Sequence, residues 1–244
     1  MTKTLTADNP NLQAAAGRLR RIQWTWAALF LAMAVLTFAG GSGDGPLPGR
    51  AVLAAAWLAG AGLLAAAPQP ALLALVTVAW ALSLVFLLPG GAGALGSDPL
   101  GVILGGSPVE AWAAALVRVI LALTAWNQFL FYRMLYGTAA ATGLEASLPA
   151  IPEVVPNRTD ALASWGRFCG LAGLLAAWAA IPLGDHPLAS PALNLGWALA
   201  VFGIGLGVGA AFSPTTRRGA ALTGIGAGAM AFLSALLVAR VMPG

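Results

Sequence analysis

The side chains best placed for specific chemistry in an apolar setting fall in one stretch, Ser107 to Gly137, SPVEAWAAALVRVILALTAWNQFLFYRMLYG. Arg118 lies about 15 Å along this run if the run is helical, at about 1.5 Å per residue. At that depth an arginine costs about 2.5–3.5 kcal/mol on insertion scales, so it must face protein, water or a headgroup rather than lipid tails. Apart from Glu110 at the start of this run, no Asp or Glu falls within a predicted span. Arg118 is therefore expected either to snorkel to the interface or to bind an anion: a lipid headgroup, a substrate or a partner subunit's acid. Thr124, Gln128, Tyr132 and Tyr136 recur every four residues and predict a polar stripe along one helix face. Such a stripe lines a solute path or acts as hydrogen-bonding glue between helices, and glue is the commoner use. Asn127 stands about 180° around the helix from Arg118 and shares no site with it.

Other reactive residues give less. Glu110 follows Ser107 and Pro108 in a capping-box pattern, which gives its carboxylate a structural task. Asp185 and His186 form an acid/base pair in type, beside Asp44 and Asp98 on the same predicted side, but they sit in a turn and read as surface. One histidine and one cysteine, Cys169, leave no metal cluster, haem-ligand pair or Cys/His dyad. No metal and no cofactor are expected. Gly203-x-Gly205-x-Gly207 lies in an apolar run with no strand before it, so a nucleotide loop is not indicated. The absence of acids inside spans argues against a carrier using a buried carboxylate. The balance leans away from an enzyme.

The elements that must position these residues follow from composition. Charged residues make up 8% and hydrophobic residues 59% of the 244, with mean hydropathy +0.86, far from the roughly 25% charge of soluble domains. Apolar runs of about 20 residues, enough to cross ~30 Å of hydrocarbon, recur along the chain. Rich in Ala, Leu and Gly without polar alternation, they predict helices rather than barrel strands. The fold class is all-α, a polytopic transmembrane helical bundle of about seven spans. Their expected ranges are 22–39, 51–67, 71–88, 107–136, 161–181, 192–212 and 219–241, in a 3+1+3 arrangement around the central helix. In domains this gives a polar segment 1–21, a first three-helix unit 22–89, an outer loop and central helix 90–137, a Pro-rich loop 138–160 and a second three-helix unit 161–244. The N-terminal segment does not have the form of a cleavable signal peptide.

Basic residues set the orientation. With the N-terminus inside, Lys3, Arg18, Arg20, Arg21, Arg133, Arg158, Arg167, Arg217 and Arg218 are cytoplasmic, while Arg50 and Arg240 are outside. The charge of +4 thus reads as a topology signal and not as a nucleic-acid patch. Segments 43–68 and 184–214 align passably, Asp44 with Asp185 and Pro46 with Pro187, which raises a parallel duplication of the kind some permeases use. Small residues at helix-contact spacing, among them Gly166, Gly170, Gly203, Gly207, Gly224 and Gly228, predict close backbone approach.

Together these features point to a non-catalytic multi-pass protein of a bacterial-type cytoplasmic (inner) membrane. It is expected to be an accessory or scaffold subunit, with the bilayer and membrane partner subunits or further copies of itself as partners. The alternative is a small-solute permease with parallel three-helix repeats joined by the central helix.

Overall fold

The structure is a computed structural model describing residues 10–39, 47–66, 69–87, 108–141, 156–184, 186–213 and 215–241. It contains α1 (Pro10–Ala39), α2 (Leu47–Ala66), α3 (Ala71–Leu82) followed by a 3-10 turn (Ser83–Leu87), α4 (Pro108–Ala141), α5 (Pro156–Leu183), α6 (Ala189–Ala211) and α7 (Arg218–Val241). Among the described residues there are no strands. Six helices are long and apolar enough to cross a membrane, and the short apolar helix at Ala71–Val85 makes a seventh element. The chain is a helical bundle of multi-pass membrane type.

Several boundaries differ from the sequence expectation. α1 begins at Pro10, a dozen residues before the apolar run, because Ala, Leu, Gln and Arg continue the helix well and proline suits its first position. α4 passes through Gly137 to Ala141; one glycine costs only about 1 kcal/mol, and the Thr-Ala-Ala-Ala that follows favours helix. Pro156, expected in an extended strap, instead opens α5, so Arg158, Thr159 and Asp160 are helical. The rest of the Pro-rich loop and the apolar piece at 100–104 lie outside the described residues. α5 ends at Gly184, whose φ of 49° is the left-handed cap conformation.

α3 shows why one span is short. The Ser83 hydroxyl donates to the Trp80 carbonyl at 2.7 Å, a local bond that competes with the α-helical ladder at the point where α3 tightens into the 3-10 turn. The helix is apolar all round and buried on nearly every face, with Leu72, Leu73, Ala74, Leu75, Val76 and Trp80 at or below 1% exposure. It packs between α6 and α4. Such a helix belongs to protein interior and not to lipid.

The hub of the bundle is α6, not the central helix of the sequence. α6 contacts α2, α3, α5 and α7, and 67% of its span is buried, against 28% for α4. The reason is side-chain size. The α6 glycines let neighbours approach backbone to backbone, while α4 presents bulky Trp112, Leu116, Leu123, Phe131 and Met134 outward. α5, α6 and α7 contact one another mutually. A Cβ placed on Gly203 would lie 2.7 Å from the Gly170 backbone, and one on Gly170 would lie 2.7 Å from the Gly224 carbonyl oxygen. The first three helices meet differently. α1 packs on α2, and Phe30, Trp57 and Trp80 form an aromatic cluster, with the Phe30–Trp57 centroids 4.8 Å apart at 85°. The two sets of three helices are therefore not packed alike.

Candidate functional site

Three groups of polar side chains are placed by this bundle. The first is the α4 stripe. Consecutive positions four apart drift about 40° around a helix, at 3.6 residues per turn, so the stripe winds from surface to interior. Thr124 is exposed and its hydroxyl donates to the Ile120 carbonyl of its own helix at 2.7 Å. Gln128 is half-buried, and its Oε1 accepts the Trp26 indole N–H of α1 at 2.8 Å. Tyr132 is buried at 3% exposure. Tyr136 is helical, but its side chain is outside the described residues. Below the stripe, Trp126 and Phe129 pack against Phe212 of α6, and the Arg133 guanidinium sits 5.3 Å from the Phe212 ring centroid. Arg133 thus holds α4 to α6 by a cation–π contact that its role as a topology signal did not reveal.

Arg118 occupies the opposite side of α4 from Asn127, which is exposed. It does not snorkel: only 1% of it is exposed. Its charge is enclosed by the protein, in line with the cost of placing it in lipid.

The second group lies where α2 and α6 meet. Asn194 is fully buried on α6, and among the described residues neither atom of its amide has a hydrogen-bond partner. It fits there because position 49 lacks a side chain: a Cβ on Gly49 would come 2.5 Å from Asn194 Nδ2 and 2.9 Å from Ser190 Oγ. Arg50, the next residue of α2, is buried at 7%. One turn deeper, Leu53, Trp57, Leu75, Trp197 and Val201 line a small void of about 20 Å³, no larger than a water molecule needs. The sequence carried a usable signal for Asn194, as the lone amide in the apolar run of α6.

The third group ties the first turns of α5 to the start of α7. Asp160 lies in the first turns of α5, and its carboxylate caps α7 across space. Oδ1 accepts the Thr215 hydroxyl at 2.5 Å, the Thr216 amide at 2.8 Å and the Arg217 amide at 3.3 Å, while Oδ2 accepts the Thr216 hydroxyl. These amides precede a helix N-terminus whose orphan donors and dipole favour a carboxylate. Arg217 Nη1 in turn donates to Ser164 Oγ at 2.9 Å. The signal missed here was tertiary: Asp160 and Thr216 are 56 positions apart.

His186 serves the turn before α6. Its Nδ1 accepts the Leu188 amide at 3.2 Å, and its ring is exposed. Asp185 is outside the described residues. Among the described residues no group of three or more His, Cys, Asp or Glu side chains is placed to hold a metal. Cys169 is half-buried on α5 with a free thiol.

Comparison with protein-family models, with characterised proteins and with solved structures finds no match to this chain. The chemistry of the placed side chains is therefore the whole basis for a functional reading.

Proposed function

We propose that this chain is a non-catalytic accessory or scaffold subunit of a larger assembly in a bacterial-type inner membrane, with the N-terminus inside and the C-terminus outside. Its helices follow one another in the 3+1+3 order. The observation that carries the reading is the fate of the α4 stripe. Two of the groups that would wall a solute path face the bundle, Gln128 bonded to the Trp26 indole and Tyr132 buried, while Thr124 is exposed and bonds its own helix. Arg118 is enclosed within the bundle rather than at the lipid surface. The broad apolar side of α4, with Trp112 at 80% and Met134 at 70% exposure, is left to lipid and to membrane neighbours.

The buried Asn194 amide favours the alternative, a small-solute permease, because an interior amide without partners is a group a passing solute would satisfy. Extraction of native membranes in mild detergent separates the two readings. A scaffold subunit co-purifies with a partner in fixed stoichiometry. A permease purifies alone and moves solute when reconstituted in liposomes, which would overturn the scaffold reading.

A further inference from the structure

At the end of the bundle where α5 and α7 begin, Asp160, Ala161, Ser164, Trp165, Phe168 and Arg217 line an open depression of about 600 Å³. The segments of α5 and α7 that are long and apolar enough to cross a membrane start at Thr159 and Arg218, so the depression lies at the end of both, where headgroups would meet it. Its walls carry both signs of charge. Among the described residues Asp160 Oδ1 accepts three hydrogen bonds, while Oδ2 accepts only that of the Thr216 hydroxyl, and a carboxylate oxygen has capacity for a second donor. Arg217 spends one guanidinium N–H on Ser164 and, exposed, has further donors in the fork that suits a phosphate. The third wall is aromatic. Trp165 and Phe168 meet edge to face at 5.9 Å and are 59% and 60% exposed, the amphipathic surface found beside headgroups and the first acyl carbons.

We propose that this depression binds the headgroup of a zwitterionic aminophospholipid, with the primary ammonium on Asp160 Oδ2, the phosphate on the Arg217 guanidinium and the upper acyl chain against Trp165 and Phe168. Charge complementarity selects this class. An acidic phospholipid would bring its phosphate to Arg217 but leave the Asp160 carboxylate facing a second anion. A quaternary amine carries the cation without an N–H for Oδ2 to accept. The primary ammonium satisfies both groups at once.

The test uses the full chain in detergent, offered phosphatidylethanolamine, phosphatidylcholine and phosphatidylglycerol with identical acyl chains, with retained lipid read by native mass spectrometry. The ethanolamine lipid is expected to be retained about tenfold over each of the others, the scale of one charge-assisted hydrogen bond. Asp160→Asn, which keeps an acceptor for the α7 cap, should abolish that preference. Arg217→Gln should lower retention of the ethanolamine lipid, and Arg218→Gln, outside the depression, should leave it unchanged. Equal retention of the ethanolamine and choline lipids overturns the proposal, as does preference for phosphatidylglycerol or a preference that survives Asp160→Asn. An equal loss in Arg217→Gln and Arg218→Gln would also overturn it, by revealing a diffuse basic belt. The comparison among lipids on the unsubstituted chain decides the matter even if a variant fails to fold.

Discussion

Replacing Gly224 by alanine perturbs a backbone-to-backbone contact between α5 and α7 by one methyl group. A Cβ at this position would lie 2.7 Å from the Gly166 carbonyl carbon, 2.8 Å from the Arg167 nitrogen and 2.9 Å from the Gly166 oxygen. These are backbone atoms of α5, so no side chain can swing aside. Ordinary contact begins near 3.4 Å, and 3.4 minus 2.7 requires about 0.7 Å of separation between α5 and α7. Because Gly166 also abuts Gly207 and Gly170 abuts Gly203, the shift is resisted by α6 as well. Overpacking of this kind costs about 1–3 kcal/mol, offset by up to about 1 kcal/mol from the better helix propensity of alanine. A net loss of about 1–2 kcal/mol corresponds to a melting temperature lower by about 2–8 °C for a chain of this size. Gly226, two residues along the same helix, is the internal control, since a Cβ there meets nothing within 4 Å. Thermal unfolding in detergent, read by modification of the sole cysteine, Cys169, reports the opening of α5 itself. Gly224→Ala should melt earlier and Gly226→Ala at the same temperature or later. If both variants melt alike, α5 and α7 do not meet backbone to backbone and the glycine argument fails.

Two further outcomes follow from single contacts. Trp26→Phe deletes the indole donor to Gln128 and should cost about 0.6 kcal/mol and at most about 1.7, the range measured for such bonds in membranes; combined with Gln128→Leu, the loss should be less than the sum, and strict additivity would deny the bond. Gly49→Ala drives a methyl into the Asn194 amide and should destabilise by about 1–3 kcal/mol, with Asn194→Ala in the same chain restoring at least about 0.5 kcal/mol by coupling, measured as a double-mutant cycle.

The residues that were legible from sequence are those whose signal is local. Apolar length gave the helices, Pro108 at the first position gave the start of α4, and the small-residue spacing of Gly166, Gly170, Gly203 and Gly224 gave close contacts that the bundle uses. What stayed hidden depends on residues distant in the chain. The chemical variety of α4 made it look central, yet a hub needs small residues, and α6 has them. The four-residue stripe looked like one face, but its drift of about 40° per step carries Thr124 outward and Tyr132 inward. The cap that Asp160 places on α7 stayed hidden because nothing in the spacing announces that Thr215 and Thr216 return to it. Depth alone left Arg118 open between snorkelling to the interface and binding an anion, and its burial depends on neighbours from other helices.

The central claim is that the α4 stripe closes the bundle rather than lining a path through it. Cysteine at position 128, Gln128→Cys in a Cys169→Ser background, tests this in intact membranes with a water-soluble maleimide added on either side. The glue reading predicts no labelling from either side until the protein is denatured. Labelling at position 128 in the folded state, from either face, would contradict it and place a water-filled path beside α4.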